Sequence, residues 1–458
     1  MTTMLERATT TTTDASARGR RDASVDLVRS LCLIVVVGLH AMMVGISLVD
    51  GAPVIINAME AWPGFPIATW VVQVMPLFFV LGGFSAHRQW TGMRARGATR
   101  AEYLAKRLRR LLPPVVGAIA ATALALGGLA AAGLPGELVG EAGFRLSQPL
   151  WFLGVYLLCT LLVPVMVRMH SVAPVVTTLG LLGGALGVDA LRAATGIDAI
   201  GFANLLLVWL AAQQLGFWIA DGSVDRWSRP ALRAAGAASL ALAVALCLVG
   251  LTTHDLFQAL NPPSAVLVLL GAAQASLVVL ARERLQRLAR RRPVAVVVGA
   301  INARAMTVYA WHMLVLIALA GASLVSPVLS PAPLGDAWWL SRPLWLLAVA
   351  VAVAAVVRLA GALETGALAE RIAGAGRADR GAAGPRPGRM VAVYLGGAAA
   401  VLAVLVSGSM PLVWAVAALA LAAALGLARG GLVRREPAPA ARPGGRHALR
   451  LRTASVVP

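Results

Sequence analysis

The sequence predicts an all-α integral membrane protein, a polytopic helical bundle of about 10–12 transmembrane helices. Three observations carry that reading. The 458 residues are 59% hydrophobic and only 13% charged, with a mean hydropathy of +0.79, a balance that soluble domains of this size do not show. Apolar segments of about 20 residues, the length a helix needs to cross a bilayer core, recur along the whole chain. The net charge of +20 is gathered between those segments, so it reads as a topology signal and not as a nucleic-acid surface.

Residues 1–23 are Thr-rich and polar, and read as a disordered cytoplasmic tail. The apolar run that follows has no small-residue cleavage site, so the first helix is expected to stay on the protein. Twelve spans are predicted, near 26–48, 66–87, 111–132, 150–168, 173–188, 203–220, 231–251, 264–281, 305–325, 343–361, 390–407 and 411–428. These group into a transmembrane domain over 24–361, a cytoplasmic linker over 362–389, two additional helices over 390–428 and a disordered basic tail over 429–458. Cys32, Cys159 and Cys247 all fall inside predicted spans, so a disulfide framework is not expected.

Alternate linkers differ sharply in charge. The stretches 88–110, 221–233, 282–304, 362–389 and 429–458 hold nearly all of the 40 Lys and Arg residues, whereas the intervening linkers hold only Arg145, Arg192 and Arg342. The positive-inside rule then puts both termini in the cytoplasm of a multi-pass cell-membrane protein.

The first span, "SVDLVRSLCLIVVVGLHAMMV" (24–44), carries Arg29 and His40 eleven residues apart, which at 100° per residue is one helix face; Asp26 shares it. His40 would lie roughly 16 Å beyond Arg29, near the bilayer midplane. Arg29 alone reads as an interfacial cation that snorkels and sets orientation. An imidazole at the membrane centre is costly and points to a bundle interior, where a neutral ring can act as a general base. In the second span Pro76 precedes Phe78, Phe79, Gly82 and Gly83, a pattern for either a broken helix lining a cavity or close helix packing. Lys106, Arg107, Arg109 and Arg110 meet the third span and read either as a positive-inside cluster or as a phosphate site. His312 is a second histidine within a span, in the inner third of its helix, and is open between structure and function. Trp151, Gln213 and Gln214 read as packing or interhelical hydrogen-bonding residues, and His87, His170, His254 and His447 as surface residues. No cluster suggests a metal site.

The spacing of Arg29 and His40 with Asp26 ahead of them resembles the opening of the acyltransferase-3 family of polytopic membrane acyltransferases. The resemblance continues in order through "MPLFFVLGGFS" (75–85), "KRLRRLLPP" (106–114), "LWFLGVYLL" (150–158) and "TVYAWHMLV" (307–315), covering roughly 24–360. It implies transfer of an acyl group, acetyl in the simplest case, from cytoplasmic acyl-CoA to a hydroxyl of a glycan, lipid-linked sugar or other small acceptor. It also implies His40 as catalytic base, Arg29 as its partner at the donor site, and Arg107, Arg109 and Arg110 as contacts for donor phosphates. Asp26, Pro76, Trp151 and His312 are carried along as pocket candidates. The expected partners are the donor, the acceptor and membrane lipid, with acetyl-CoA as the donor substrate and no metal or nucleic acid. Two features depart from the family's form: the two helices after residue 390, and "LGGFS" for its commoner Leu-Ser-Gly-Phe wording. A secondary transporter also has twelve spans with both ends inside, but the paired interrupted helices of such folds are not found in the two halves.

Overall fold

The computed structural model describes residues 22–49, 52–324, 331–365 and 386–429. The tails and most of the 362–389 linker named above lie outside these. The chain is a helical bundle, and among the described residues eleven helices are long and apolar enough to cross a membrane, or twelve if one bent pair counts as a span.

Helix α1 (Ala23–Met43) is capped by Asp22, whose carboxylate accepts from the Ser24 amide. It stops five residues short of the predicted end. Val44–Val49 (β1) and Ala52–Asn57 (β2) form an antiparallel hairpin with Val44 opposite Asn57, the only sheet among the described residues. A hairpin pairs its own amides and carbonyls, so non-helical backbone can follow α1 without stranding polar groups.

The second span is broken, as Pro76 suggested: α2 (Phe65–Val72) ends and α3 (Met75–Ala95) begins with Pro76 in its first turn. Gln73 stitches the gap. Its side chain accepts from the Met75 amide and donates to Leu256 O, while Gln274 donates to its carbonyl. Close packing is also present, since a Cβ on Gly83 would overlap Gln213 O and one on Gly216 would overlap Val80 O. Those contacts press α3 against α8 (Asn204–Ala220), so both readings of the Pro-Gly segment hold at once.

The basic linkers are more helical than predicted. Helix α4 (Arg100–Ala131) starts eleven residues before the third predicted span, on a capping box between Thr99 and Glu102, so only 96–99 of the 88–110 linker is a loop. The remaining elements are α5 (Gly136–Ser147), α6 (Leu150–Val172), α7 (Pro174–Thr195), α9 (Arg229–Leu248), α10 (Val266–Leu280), α11 (Arg282–Ala289), α12 (Arg292–Ala303), α13 (Ala305–Ser323), α14 (Asp336–Thr365), α15 (Pro387–Ser407) and α16 (Pro411–Arg429). Helices α10 and α11 are the bent pair, turning by 66°. The last two helices are not an appendage: α15 lies along α6 and α16 along α4, with Tyr394 Oη donating to Leu104 O and Trp414 buried.

At the end of the bundle that carries the basic loops, Arg282 joins Asp22 at 2.6 Å to Asp225 at 3.1 Å, tying the start of α1 to α11 and to the loop before α9. Burial pushes the Asp22 carboxyl up, but the hydrogen bonds from Ser24 and Arg282 and the arginine's charge outweigh it and hold it below the ordinary 3.8.

Candidate active site

Helices α1 and the α12–α13 pair run side by side in one register. Asn302 Nδ2 donates to Ser30 Oγ at 2.7 Å, and His40 Nδ1 meets His312 Nε2 at 3.0 Å, each pair 272 residues apart in sequence. The two imidazoles are stacked, with ring centroids 5.1 Å apart. His40 falls in the last turn of α1, and its partner sits seven residues into α13, whose start coincides with that of the predicted span. The pair is thus near the middle of α13, and β1 packs against α13 where α1 has ended.

The hydrogen bonds fix the tautomers of two neutral rings. A carbonyl only accepts, so His312 Nδ1, 2.7 Å from Tyr309 O, carries that ring's proton. His312 Nε2 is therefore the acceptor, and His40 Nδ1 must donate to it. The lone pair of His40 is left on Nε2, which has no partner among the described residues. A half-buried imidazole with an oriented N–H and a free lone pair is the arrangement of a general base.

Arg29 lies on the same face of α1, about 16 Å toward the basic end. Its guanidinium donates to Ser85 Oγ at 2.5 Å and Leu81 O at 3.3 Å, both on α3, and stands 3.8 Å from Asp26. Arg107 donates to Gln89 Oε1 at 3.1 Å and Tyr156 Oη at 2.9 Å, with its Nε unpartnered. Ser85 and Gln89 are one turn apart on α3, so Arg29 and Arg107 meet neighbouring positions of that helix, and Arg110 lies one turn from Arg107 on α4. Arg109 projects from another face of α4 and donates to Ala105 O of its own helix. The structure therefore brings Arg29, Arg107 and Arg110 together and leaves Arg109 aside.

From Arg29 toward the histidines runs a narrow apolar cleft. On α1 it is lined by Arg29, Leu33 and Val36, and on α13 by Ala305 and Tyr309; the next residues on those two stripes are His40 and His312. Phe78 and Phe152, packed edge to face at 5.3 Å, close its far wall, and Met75 beside Pro76 lines the break in the second span. Trp151 does not line it. That ring lies tilted against the buried Trp209 at 5.4 Å and meets Phe152 edge-on, so it packs the wall behind the cleft.

The model of one family, described as an acyltransferase domain, matches residues 22–361. The chain belongs to the acyltransferase-3 family. The match covers about three quarters of this acyltransferase and runs from the cap of α1 to Gly361 at the end of the α14 span, so α15 and α16 lie beyond it. No curated relative and no solved structure matches.

Sequence reasoning missed several polar groups of the acyltransferase. His170, read as a surface residue, is buried: Gln214 Nε2 donates to its Nδ1 at 3.1 Å, and its Nε2 faces Asp221 at 3.1 Å. Desolvation raises the Asp221 carboxyl, but the Ser223 and His170 hydrogen bonds outweigh it and hold the group below 3.8. Ser85, Gln89 and Tyr156 order the arginines and were likewise not singled out. Tyr156 lies inside the quoted "LWFLGVYLL" and Ser85 closes "MPLFFVLGGFS", so their polar atoms within apolar runs were the available signal.

Proposed function

We propose that the protein transfers an acyl group, acetyl in the simplest case, from cytoplasmic acyl-CoA to a hydroxyl delivered from the opposite side of the membrane. The observation that carries this reading is the paired register of α1 and α13. It aligns a cation cluster, an apolar cleft and an oriented imidazole along one line. The basic loops face the cytoplasm by the positive-inside rule, which puts Arg29, Arg107 and Arg110 at the donor's entrance. Guanidinium forks suit the phosphates of coenzyme A.

The length agrees. The pantetheine arm, with two amides and its flanking methylenes, is equivalent to four or five backbone residues and extends about 15 Å. That matches the axial rise from Arg29 to His40, so phosphates at the cluster put the thioester beside the imidazole. His40 Nε2 takes the hydroxyl proton as the acceptor oxygen attacks the thioester carbonyl. The C–O bond forms, the C–S bond breaks, and the proton passes to the departing thiolate, giving ester and free CoA. Positioning by His312 keeps the receiving lone pair on Nε2. The transporter reading has no comparable support, because an uptake pathway requires neither the convergence of three arginines nor a tautomer-fixed base.

The test is reconstitution of purified protein into vesicles with [14C]acetyl-CoA outside, following free thiol. Thiol release that depends on protein, with label leaving the CoA pool, supports the reading. Solute uptake with no thiol released overturns it.

A further inference from the structure

The end of the bundle opposite the basic loops holds a cation that donor binding does not use. Helix α14 enters there with "AWWLSRPLW" (337–345). Arg342 is 9% exposed, and its guanidinium lies 4.3 Å from the Trp338 ring centre and 5.5 Å from that of Trp345. Its Nε donates to Trp338 O at 3.0 Å and its Nη2 to Ser341 Oγ at 3.1 Å. Among the described residues no carboxylate reaches it and no group accepts from Nη1. A buried guanidinium without a counterion is costly, and an indole cage offsets part of that cost while leaving the positive charge available.

Tryptophans at the rim of a membrane protein ordinarily form an interfacial belt. The positions here differ from one. Leu340 and Leu344, on the other side of α14, are 82% and 71% exposed and form its outward face, whereas Trp338 is 2% exposed and turned inward with Arg342. Trp62 extends the aromatic group, packing on Trp339 at 5.6 Å, and Trp339 meets Trp338 at 4.7 Å. One turn along from Arg342, Trp345 Nε1 donates at 2.8 Å to the carbonyl of Ala41, the residue after His40. The cage thus connects directly to the end of α1 that presents the base.

We propose that Arg342, held by Trp338 and Trp345 and flanked by Trp62 and Trp339, seats the anionic group of the acceptor: a hydroxyl-bearing sugar that carries a carboxylate or a phosphate. The inference rests on the acyl-transfer reading and names its substrate class. A guanidinium fork is matched to either anion, and indole faces pack on the apolar C–H faces of a sugar ring. With the anion at Arg342, a hydroxyl further along the sugar is directed toward His40. That hydroxyl gains the acyl group, its proton goes to His40, and free CoA leaves on the other side.

The test uses full-length protein in phosphatidylcholine nanodiscs, with tryptophan fluorescence following titration by methyl β-D-glucuronide, glucose 1-phosphate and methyl β-D-glucoside. Both anionic sugars are expected to bind about tenfold or more tighter than the neutral one, a difference of about 1.4 kcal/mol. Arg342→Gln should abolish that preference. Arg342→Lys, which keeps the charge but not the fork, should weaken both anions about threefold or more and guards against a Gln variant that fails to fold. Equal affinity for the three sugars, or a preference that survives in the Gln variant or is unchanged in the Lys variant, overturns the proposal. It is overturned equally if phosphatidylglycerol in the disc produces the Arg342-dependent signal and the sugars do not, since the cage is then a seat for a lipid headgroup. Binding of [3H]acetyl-CoA to the same wild-type samples separates the two levels: its absence rejects the donor reading, while the sugar titrations judge the acceptor site.

Discussion

Replacing His312 removes the acceptor that fixes His40 in its basic tautomer. In the wild type, His40 Nδ1–H is bonded at 3.0 Å to His312 Nε2. In His312→Ala that N–H loses its partner in a low-dielectric interior, a penalty of about 1–3 kcal/mol. The competing tautomer, with the proton on Nε2, escapes the penalty and cannot accept the hydroxyl proton. If turnover follows the fraction of productive tautomer, the rate of acyl transfer should fall about 5- to 150-fold, with little change in KM for acyl-CoA. His312→Gln supplies a side-chain carbonyl of comparable reach and should recover part of the loss. The assay is steady-state transfer from [14C]acetyl-CoA by purified protein, with kcat and KM separated. An alanine variant with wild-type kcat would refute the reasoning, and so would a glutamine variant no better than alanine, because a lost packing contact predicts no rescue.

Three further outcomes follow from the geometry. Arg107→Gln should weaken acyl-CoA binding about tenfold and blunt its dependence on salt, whereas Arg109→Gln, on another face of α4, should stay within about twofold; isothermal titration at two salt concentrations distinguishes them. Gly216→Ala should destabilise the protein by about 1–3 kcal/mol, because the added methyl overlaps Val80 O and Phe84 N, and an unchanged melting temperature in detergent would contradict the α3–α8 packing. Asp22 is held below 3.8 in the folded protein, so its ionised form contributes stability above the unfolded value of 3.8, and that contribution disappears as pH falls through the lower folded value. Asp22→Asn should therefore melt below wild type at pH 7, and the two melting temperatures should converge as the pH is taken below 3.8.

The spans were legible because hydropathy over about 20 residues is a strong and local signal, and the break at Gln73–Met75 was legible because proline removes an amide. The end of α1 was not. Val44–Val49 continues the apolar run, and periodicity does not separate helix from strand inside a run that is apolar on every face. Hydropathy also reads charged stretches as loops, which hid the first eleven residues of α4, although Thr99 and Glu102 spell a capping box. Within the site, the Arg29–His40 stripe was legible because both residues share one helix. The pairing of His40 with His312 depends on which helices become neighbours, and nothing local to either residue encodes it. His170 was missed for the same reason: its partners Gln214, on α8, and Asp221, just past its end, lie 44 and 51 residues away. Arg342 counted only as one of three basic residues in the sparsely charged linkers, and its tryptophan cage became visible only with α14 in place.

The central claim is that His40 Nε2 takes the proton of the acceptor hydroxyl, and His40→Ala measures it most directly. The substitution keeps helix propensity and removes a polar group from an apolar run, so expression, melting temperature and [3H]acetyl-CoA binding should stay near wild type. Acyl transfer should fall by about a hundredfold or more, the lower end of what a general base contributes. A well-folded His40→Ala protein that binds acetyl-CoA and transfers the acyl group at the wild-type rate would contradict the account.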